Sequence, residues 1–379
     1  MANILNYLDW RGDIAFSADP LNEVDNVIFS QLAYCDLEGI PELTDGFMKV
    51  SDVRDAYFAM HTAEEVQSRK TYTGTAPLLL SPLADSKRFS ELEIGHYVNV
   101  LDKEKVVQFS AVIFRMQEQA YVAFRGTDNS LIGWKEDLYF SYRSGTGSQI
   151  AAVAYLNEAA GYAKGKLHVG GHSKGGNLAI YAAAFCKPEV YRKIVTIWGN
   201  DNPGFPSDVI EMPEFQKVAE KMRLLAPESS IIGQMMKNIT FPSLVKSDAK
   251  LIQQHDLSSW QVKGNHFDTA NRLSEEAVFV NQTIQKWLHD IPVEERKEAI
   301  EIAFYCLEKS NARTFAELNE GGFKMLHSIM KASKELSEEQ SRLIGELFSS
   351  LVSNGGTLLF EAVKTKIFGS KSETEPEAK

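Results

Sequence analysis

The spacing of apolar residues changes twice along this chain, and the changes divide it into three parts. Residues 24–37 and 55–70 carry apolar side chains three and four positions apart, the signature of one buried helix face. Residues 73–86 contain two prolines and read as a loop. From about residue 96 the pattern shortens to β-branched and aromatic runs at 97–101, 106–114 and 120–124, separated by polar turns at 102–105 and 117–119. This predicts three strands joined as hairpins. Beyond them the chain alternates: helix 148–164, strand 166–171, helix 175–186, strand 193–199, helix 209–222, strand 223–227. Strands separated by single helices imply a parallel sheet with right-handed crossovers. Short strands near 249–254 and 259–264 are expected to close this part. From residue 274 the pattern is helical and charged. Ser274, followed by Glu275 and Glu276, opens one helix, Pro292 restarts another, and further helices are expected at 321–334, 337–353 and 357–368 before a polar tail. The expected organisation is a helical region over 1–95 packed on the core, an α/β core over 96–273, and a helical region with a disordered tail over 274–379.

Composition narrows the function classes. Of 379 residues, 44% are hydrophobic and 24% charged, ordinary usage for a chain with a sizeable core. The formal net charge of −11 opposes binding to phosphate backbones, so nucleic acid is not expected as a partner. The three cysteines, Cys35, Cys186 and Cys306, are widely spaced and form no metal-binding pattern, which predicts reduced core thiols, no metal and no disulfide framework. No run of 18 apolar residues predicts a transmembrane helix, and the first residues lack the basic start and apolar run of a secretion signal. Together these features predict a cytoplasmic protein. The oligomeric state stays open.

The densest chemical signal is Gly171-His172-Ser173-Lys174-Gly175, between an apolar strand and an Ala-rich helix. A serine hydroxyl is a weak nucleophile, and a tight strand-to-helix turn holds it out where a base can reach it. That turn crowds the backbone, and glycines two before and two after relieve the crowding. The helix start also offers N–H groups, including that of Lys174, to a developing oxyanion. Arg125-Gly126-Thr127 ends the preceding strand, so Thr127 can supply a second donor through its N–H and its hydroxyl.

A base must come from eight histidines. His61, His289 and His327 lie in helical patterns outside the α/β part, His96 starts a strand, and His168 sits inside the nucleophile strand as a packed residue. His172 adjoins the serine but is expected to point away from it. His255 and His266 remain, both in loops after the nucleophile as hydrolase chain order requires. His255 is the preferred base and His266 the alternative. For the acid that orients it, Asp201 and Glu228 each follow a strand end on the side where parallel sheets build sites. Asp256, beside the base, reads as a loop anchor.

Phe124-Arg125-Gly126-Thr127-Asp128, Trp134 with Asp137-Leu138, and Gly171-His172-Ser173-Lys174-Gly175-Gly176 resemble the class 3 lipases of the α/β-hydrolase superfamily. Asp201-Asn202-Pro203-Gly204-Phe205, and Gln254-His255-Asp256 with Ser259-Trp260, resemble the bacterial Mbeg1-like branch of that group. The resemblance spans about residues 95–268. It implies an α/β-hydrolase fold without cofactor, Ser173 as nucleophile, Thr127 and Lys174 as oxyanion donors, and His255 as base. It places the acid near Glu228, where class 3 lipases usually carry aspartate, so Asp201 remains in play. It also puts a lid at 131–148, a segment that reads equally as a helix packed on the sheet. The resulting expectation is a serine hydrolase of small-molecule or lipid esters. The alternatives are an inactive hydrolase-fold scaffold binding a partner through its C-terminal helices, and an acyltransferase.

Overall fold

The computed structural model describes residues 2–69, 73–128, 130–290 and 292–309, with isolated positions at 313, 314, 317 and 338. The helices expected at 321–334, 337–353 and 357–368, and the tail, lie outside the described residues. Eight strands form one sheet: β1 (Phe47–Lys49), β2 (Glu93–Asp102), β3 (Val107–Met116), β4 (Gln119–Phe124), β5 (Lys166–His172), β6 (Ile194–Asn200), β7 (Met222–Pro227) and β8 (Ser243–Val245). Their spatial order is their chain order. β2 to β4 pair antiparallel, as the hairpin turns predict, β1, a strand not expected from the sequence, adds antiparallel to β2, and β4 to β8 pair parallel.

That consecutive order dictates where the helices go. With a single crossover hand, every crossover helix falls on the same face of the sheet. On that face lie α8 (Gly147–Ala159), α9 (Lys174–Phe185) and α12 (Pro213–Val218), whose Ala152, Leu156, Leu178, Ala182 and Phe215 pack on Phe109, Ile113, Val122, Phe124, Val169 and Ile197 of the strands. The opposite face would be left bare. The N-terminal helices cover it: α1 (Ile4–Arg11), α2 (Glu23–Leu32), α3 (Glu42–Asp45), α4 (Val50–Met60), α5 (Ala63–Gln67) and α6 (Leu80–Asp85) share a core with Val112, Phe114, Tyr121, Trp198 and Val245. β3 and β4 therefore alternate between two buried faces, which is why they read as nearly continuous apolar runs. The architecture is the expected α/β-hydrolase type, a parallel half extended by an antiparallel half, with helices on both faces.

α2 is buried from Val24 to Leu32 although it carries Asp25, Asn26, Ser30 and Gln31. Buried polar groups must be paired. Asp25 accepts from Arg88, which is itself fully buried, and from the Tyr7 hydroxyl at 2.9 Å. Asn26 and Ser30 meet Asn200 of β6 at 2.9 Å each. The N-terminal helices are thus fastened to the end of the sheet that carries the site.

Several sequence expectations are corrected. Residues 73–86 are not a loop: they form a 3-10 turn over Ala76–Leu79 and then α6. Pro77 and Pro82 sit in first turns, where no N–H is required. The helix expected at 55–70 breaks into α4 and α5, because Thr62 caps a new start by accepting from the Glu65 N–H at 3.1 Å. The helix expected at 209–222 is divided into α11 (Ser207–Ile210) and α12, since Pro213 begins a new first turn. The strand expected at 249–254 is a 3-10 turn, Leu251–His255, and the last strand of the sheet is β8 instead. The run at 259–264 gives only a two-residue strand, β9 (Val262–Lys263), paired with β10 (His266–Phe267). Segment 131–148 contains α7 (Leu131–Tyr139), a helix packed on the sheet. Helices α10 (Pro188–Lys193), α13 (Glu275–Asp290) and α14 (Val293–Glu308) complete the described elements, the last two starting where Ser274 and Pro292 predict. Among the described residues no helix is long and apolar enough to cross a membrane.

Candidate active site

β5 ends at His172 and α9 begins at Lys174, leaving one residue to make the turn. Ser173 makes it with φ 58° and ψ −128°, a conformation a non-glycine residue adopts only under constraint. Its N–H donates to the Asn200 carbonyl at 2.9 Å and its own carbonyl accepts from Gly176 at 3.0 Å. The flanking glycines are required sterically. A Cβ on Gly175 would lie 2.0 Å from the Phe124 carbonyl oxygen, and one on Gly171 would lie 2.4 Å from the Gly175 carbonyl carbon. The turn closes only because both positions lack a side chain. Ser173 makes no side-chain cap on α9, so its hydroxyl is not spent on the helix end.

His255 lies at the end of its 3-10 turn, which is tied down by its neighbours. The Gln254 carbonyl accepts from the indole N–H of the fully buried Trp260 at 2.8 Å, and its side-chain oxygen accepts from the Ser229 N–H at 2.9 Å. Asp256 caps the next turn by accepting from the Ser258 N–H at 2.9 Å, a loop anchor as its position suggested.

Of the two candidate acids, Asp201 meets His255, the candidate base. Its Oδ2 lies 2.6 Å from His255 Nδ1, with the two side chains 1% and 2% exposed. The other oxygen, Oδ1, accepts from the Ser230 hydroxyl and from the Gly233 N–H, the latter at 3.1 Å. Asp201 itself has φ 46° just past the end of β6, a strained position that turns the carboxylate toward His255. Glu228 does not take this place. It is tied through its backbone, its N–H donating to Val245 at 3.0 Å and its carbonyl accepting from Ser274 at 2.8 Å. The physical reason is register. β7 ends one strand farther from Ser173 than β6, and the 3-10 turn presents His255 to the nearer strand end. His266, the alternative base, is exposed on β10 beside Asn265.

His172 is fully buried, and its ring packs against that of His255 with centroids 4.2 Å apart and planes tilted by 39°. Ser173 and the His255–Asp201 pair are therefore linked twice: through the chain neighbour of Ser173, and through Asn200, which precedes Asp201 and receives the Ser173 N–H. His168 is a packed strand residue, with Nδ1 2.6 Å from Thr196 Oγ1 and Nε2 3.0 Å from Gln119 Oε1. Burial pushes its pKa down to about 4, helped by Lys166.

The expected oxyanion donors flank the elbow. Phe124 and Gly171 are register partners in β4 and β5, so the Arg125–Thr127 exit leaves the sheet beside the serine turn. The Thr127 hydroxyl donates to Asp137 Oδ2, which narrows the expectation for this residue to its backbone N–H. The Lys174 ammonium points inward, 2.7 Å from Glu136 Oε2 and 3.2 Å from Gln108 Oε1. Glu136 also accepts from the Gln108 N–H at 2.9 Å and the Ser148 N–H at 2.7 Å. This buried ion pair fastens α7 to the start of α9 and leaves Lys174 able to contribute only its backbone. Sequence reasoning missed Glu136, Ser230 and Gly233, because each meets a partner distant in the chain and no local pattern marks it. Among the described residues no group of three or more His, Cys, Asp or Glu side chains is arranged to hold a metal ion.

No curated protein matches the sequence. Among solved structures, the chain is similar to the native Rhizomucor miehei lipase–propeptide complex, with 16% identity and a TM-score of 0.36 over 60% of this chain and 69% of that one. It is similar to M37 lipase with 16% identity and a TM-score of 0.35, over 55% and 68% of the two chains. A deletion mutant of the Rhizomucor complex gives 14% identity and a TM-score of 0.38 over 71% and 76%. The Mbeg1-like family model matches residues 83–305, which contain the sheet from β2 onward and every candidate site residue, and the chain accordingly belongs to the Mbeg1-like family.

Proposed function

We propose that this chain is a serine hydrolase of carboxylic esters, small-molecule or lipid, that works through an acyl-enzyme at Ser173. The observation that carries the reading is the 2.6 Å contact between His255 Nδ1 and Asp201 Oδ2, set against a serine held at φ 58° between two sterically required glycines. In this reading Asp201 accepts the Nδ1 proton and leaves Nε2 as the basic nitrogen. His255 takes the Ser173 proton as Oγ attacks the ester carbonyl. The backbone N–H groups of Thr127 and Lys174 stabilise the oxyanion. Collapse expels the alcohol, which takes the proton from His255, and water then repeats the sequence to release the acid. No cofactor takes part.

A fluorophosphonate probe is expected to label Ser173, and Ser173→Ala to lose both labelling and p-nitrophenyl ester turnover. Folded wild-type protein that is not labelled would reject the reading and leave a binding scaffold built on the same fold. Product analysis with added alcohols separates transfer to a non-water acceptor from hydrolysis.

A further inference from the structure

Tyr34 lies just beyond α2, in the N-terminal region and 138 residues from the elbow. Its hydroxyl nevertheless reaches the site, 2.9 Å from His172 Nδ1. The same oxygen lies close against the backbone of Gly126, next to Thr127. The approach is close enough to exclude a side chain at residue 126: a Cβ there would stand 2.0 Å from the Tyr34 oxygen and 2.7 Å from the His172 carbonyl oxygen. One hydroxyl therefore joins the end of β4, where the expected oxyanion donor sits, to the ring beside the nucleophile. That ring in turn packs at a tilt against His255, centroid to centroid at 4.2 Å.

The proton on the phenol assigns the direction of this bond. Desolvation holds the Tyr34 phenol well above its ordinary pKa, so it keeps its proton. The nitrogen placed to receive that phenolic proton is His172 Nδ1, at 2.9 Å. His172 is then neutral, with its own proton on Nε2. A neutral ring is the partner that His255 needs. His255 must become an imidazolium during each half-reaction, and a second positive charge packed against it would oppose that step.

We propose that Tyr34 is a positioning residue for the base: it fixes the tautomer and orientation of His172, against which the His255 ring rests, and holds that assembly in register with Gly126. The proposal rests on the hydrolase reading of Ser173. Its first test is Tyr34→Phe, which removes one oxygen and keeps the ring. The expected result is a 10- to 100-fold loss in both kcat on p-nitrophenyl esters and the rate of fluorophosphonate labelling, with KM changed less than about twofold and the fold retained by circular dichroism. In a His172→Phe background, Tyr34→Phe is expected to cost less than about threefold further, because the residue acts through the imidazole. Folded Tyr34→Phe that is labelled at the wild-type rate, or effects that multiply in the double variant, would overturn it. A second measurement needs no variant. Long-range 15N–1H correlation spectra of the wild-type protein should show His172 protonated on Nε2, and a proton on Nδ1 overturns the proposal. Wild-type protein that the probe does not label refutes the hydrolase reading, whereas a labelled wild type with an indifferent Tyr34→Phe refutes this proposal alone.

Discussion

Replacing Asp201 by Asn tests the proposed base–acid pair with nearly constant volume, and the structure dictates how the amide must sit. Oδ1 of Asp201 accepts from the Gly233 N–H and the Ser230 hydroxyl. A peptide N–H can only donate, so the amide oxygen of Asn must stay on that side. The NH2 group is then forced to face His255 Nδ1, where Oδ2 stood at 2.6 Å. Two donors cannot face each other there, so His255 adopts the opposite tautomer, with the proton on Nε2 and no lone pair for Ser173. An Asp→Asn change that enforces the wrong tautomer in a serine triad costs about 10⁴ in kcat, which corresponds to about 5 kcal/mol of transition-state stabilisation. The assay is steady-state hydrolysis of p-nitrophenyl esters, with labelling rates measured in parallel. Asp201→Asn should fall by about four orders of magnitude with KM little changed, while Glu228→Gln should stay within about threefold of wild type. An Asp201→Asn enzyme within tenfold of wild type, or a Glu228→Gln enzyme that falls as far, would refute the assignment.

Three further outcomes follow from the packing around the site. Gly175→Ala would press a methyl against the Phe124 carbonyl, at 2.0 Å and in rigid backbone, and should cost more than about 3 kcal/mol of stability in urea unfolding. Lys174→Met would leave the Glu136 carboxylate buried without its cation, and a loss of about 3–5 kcal/mol is expected, again by urea unfolding. The Glu136→Gln/Lys174→Met double variant should recover part of that loss. His168 titrates near 4 in the fold against about 6.5 when unfolded. The unfolded chain therefore binds the extra proton between those values. The neutral His168 contributes stability above pH 6.5 that is lost as the pH falls toward 4, in total about 3 kcal/mol. His168→Gln should flatten the stability profile across that window, and a variant with an unchanged slope would contradict the assignment.

Much of this protein was legible from local pattern, because strands and tight turns are governed by neighbours in the chain. The apolar run ending at Gly171, the glycines of the elbow and the Ala-rich start of α9 together specify a bend that only those small residues allow. The alternating strands and helices likewise specify a parallel sheet. Local pattern was weaker where proline or a cap overrides periodicity. α6 begins in a proline-containing stretch that looks like a loop, and the apolar run before His255 becomes a 3-10 turn rather than a strand.

What the linear order left undecided was every choice between partners distant in the chain. Asp201 and Glu228 follow successive strands and look equivalent in sequence. The sheet order separates them, because β6 adjoins β5, the strand leading to Ser173, and β7 does not. The same order leaves one sheet face bare, which explains why the N-terminal helices are needed and how Tyr34 arrives beside His172. In the segment 131–148 it places α7 on the sheet, where Glu136 pairs with Lys174. Chemistry that depends on the turn of one backbone segment is written in neighbouring residues. Chemistry that depends on which side chains meet across the sheet exists only once the strands are in register.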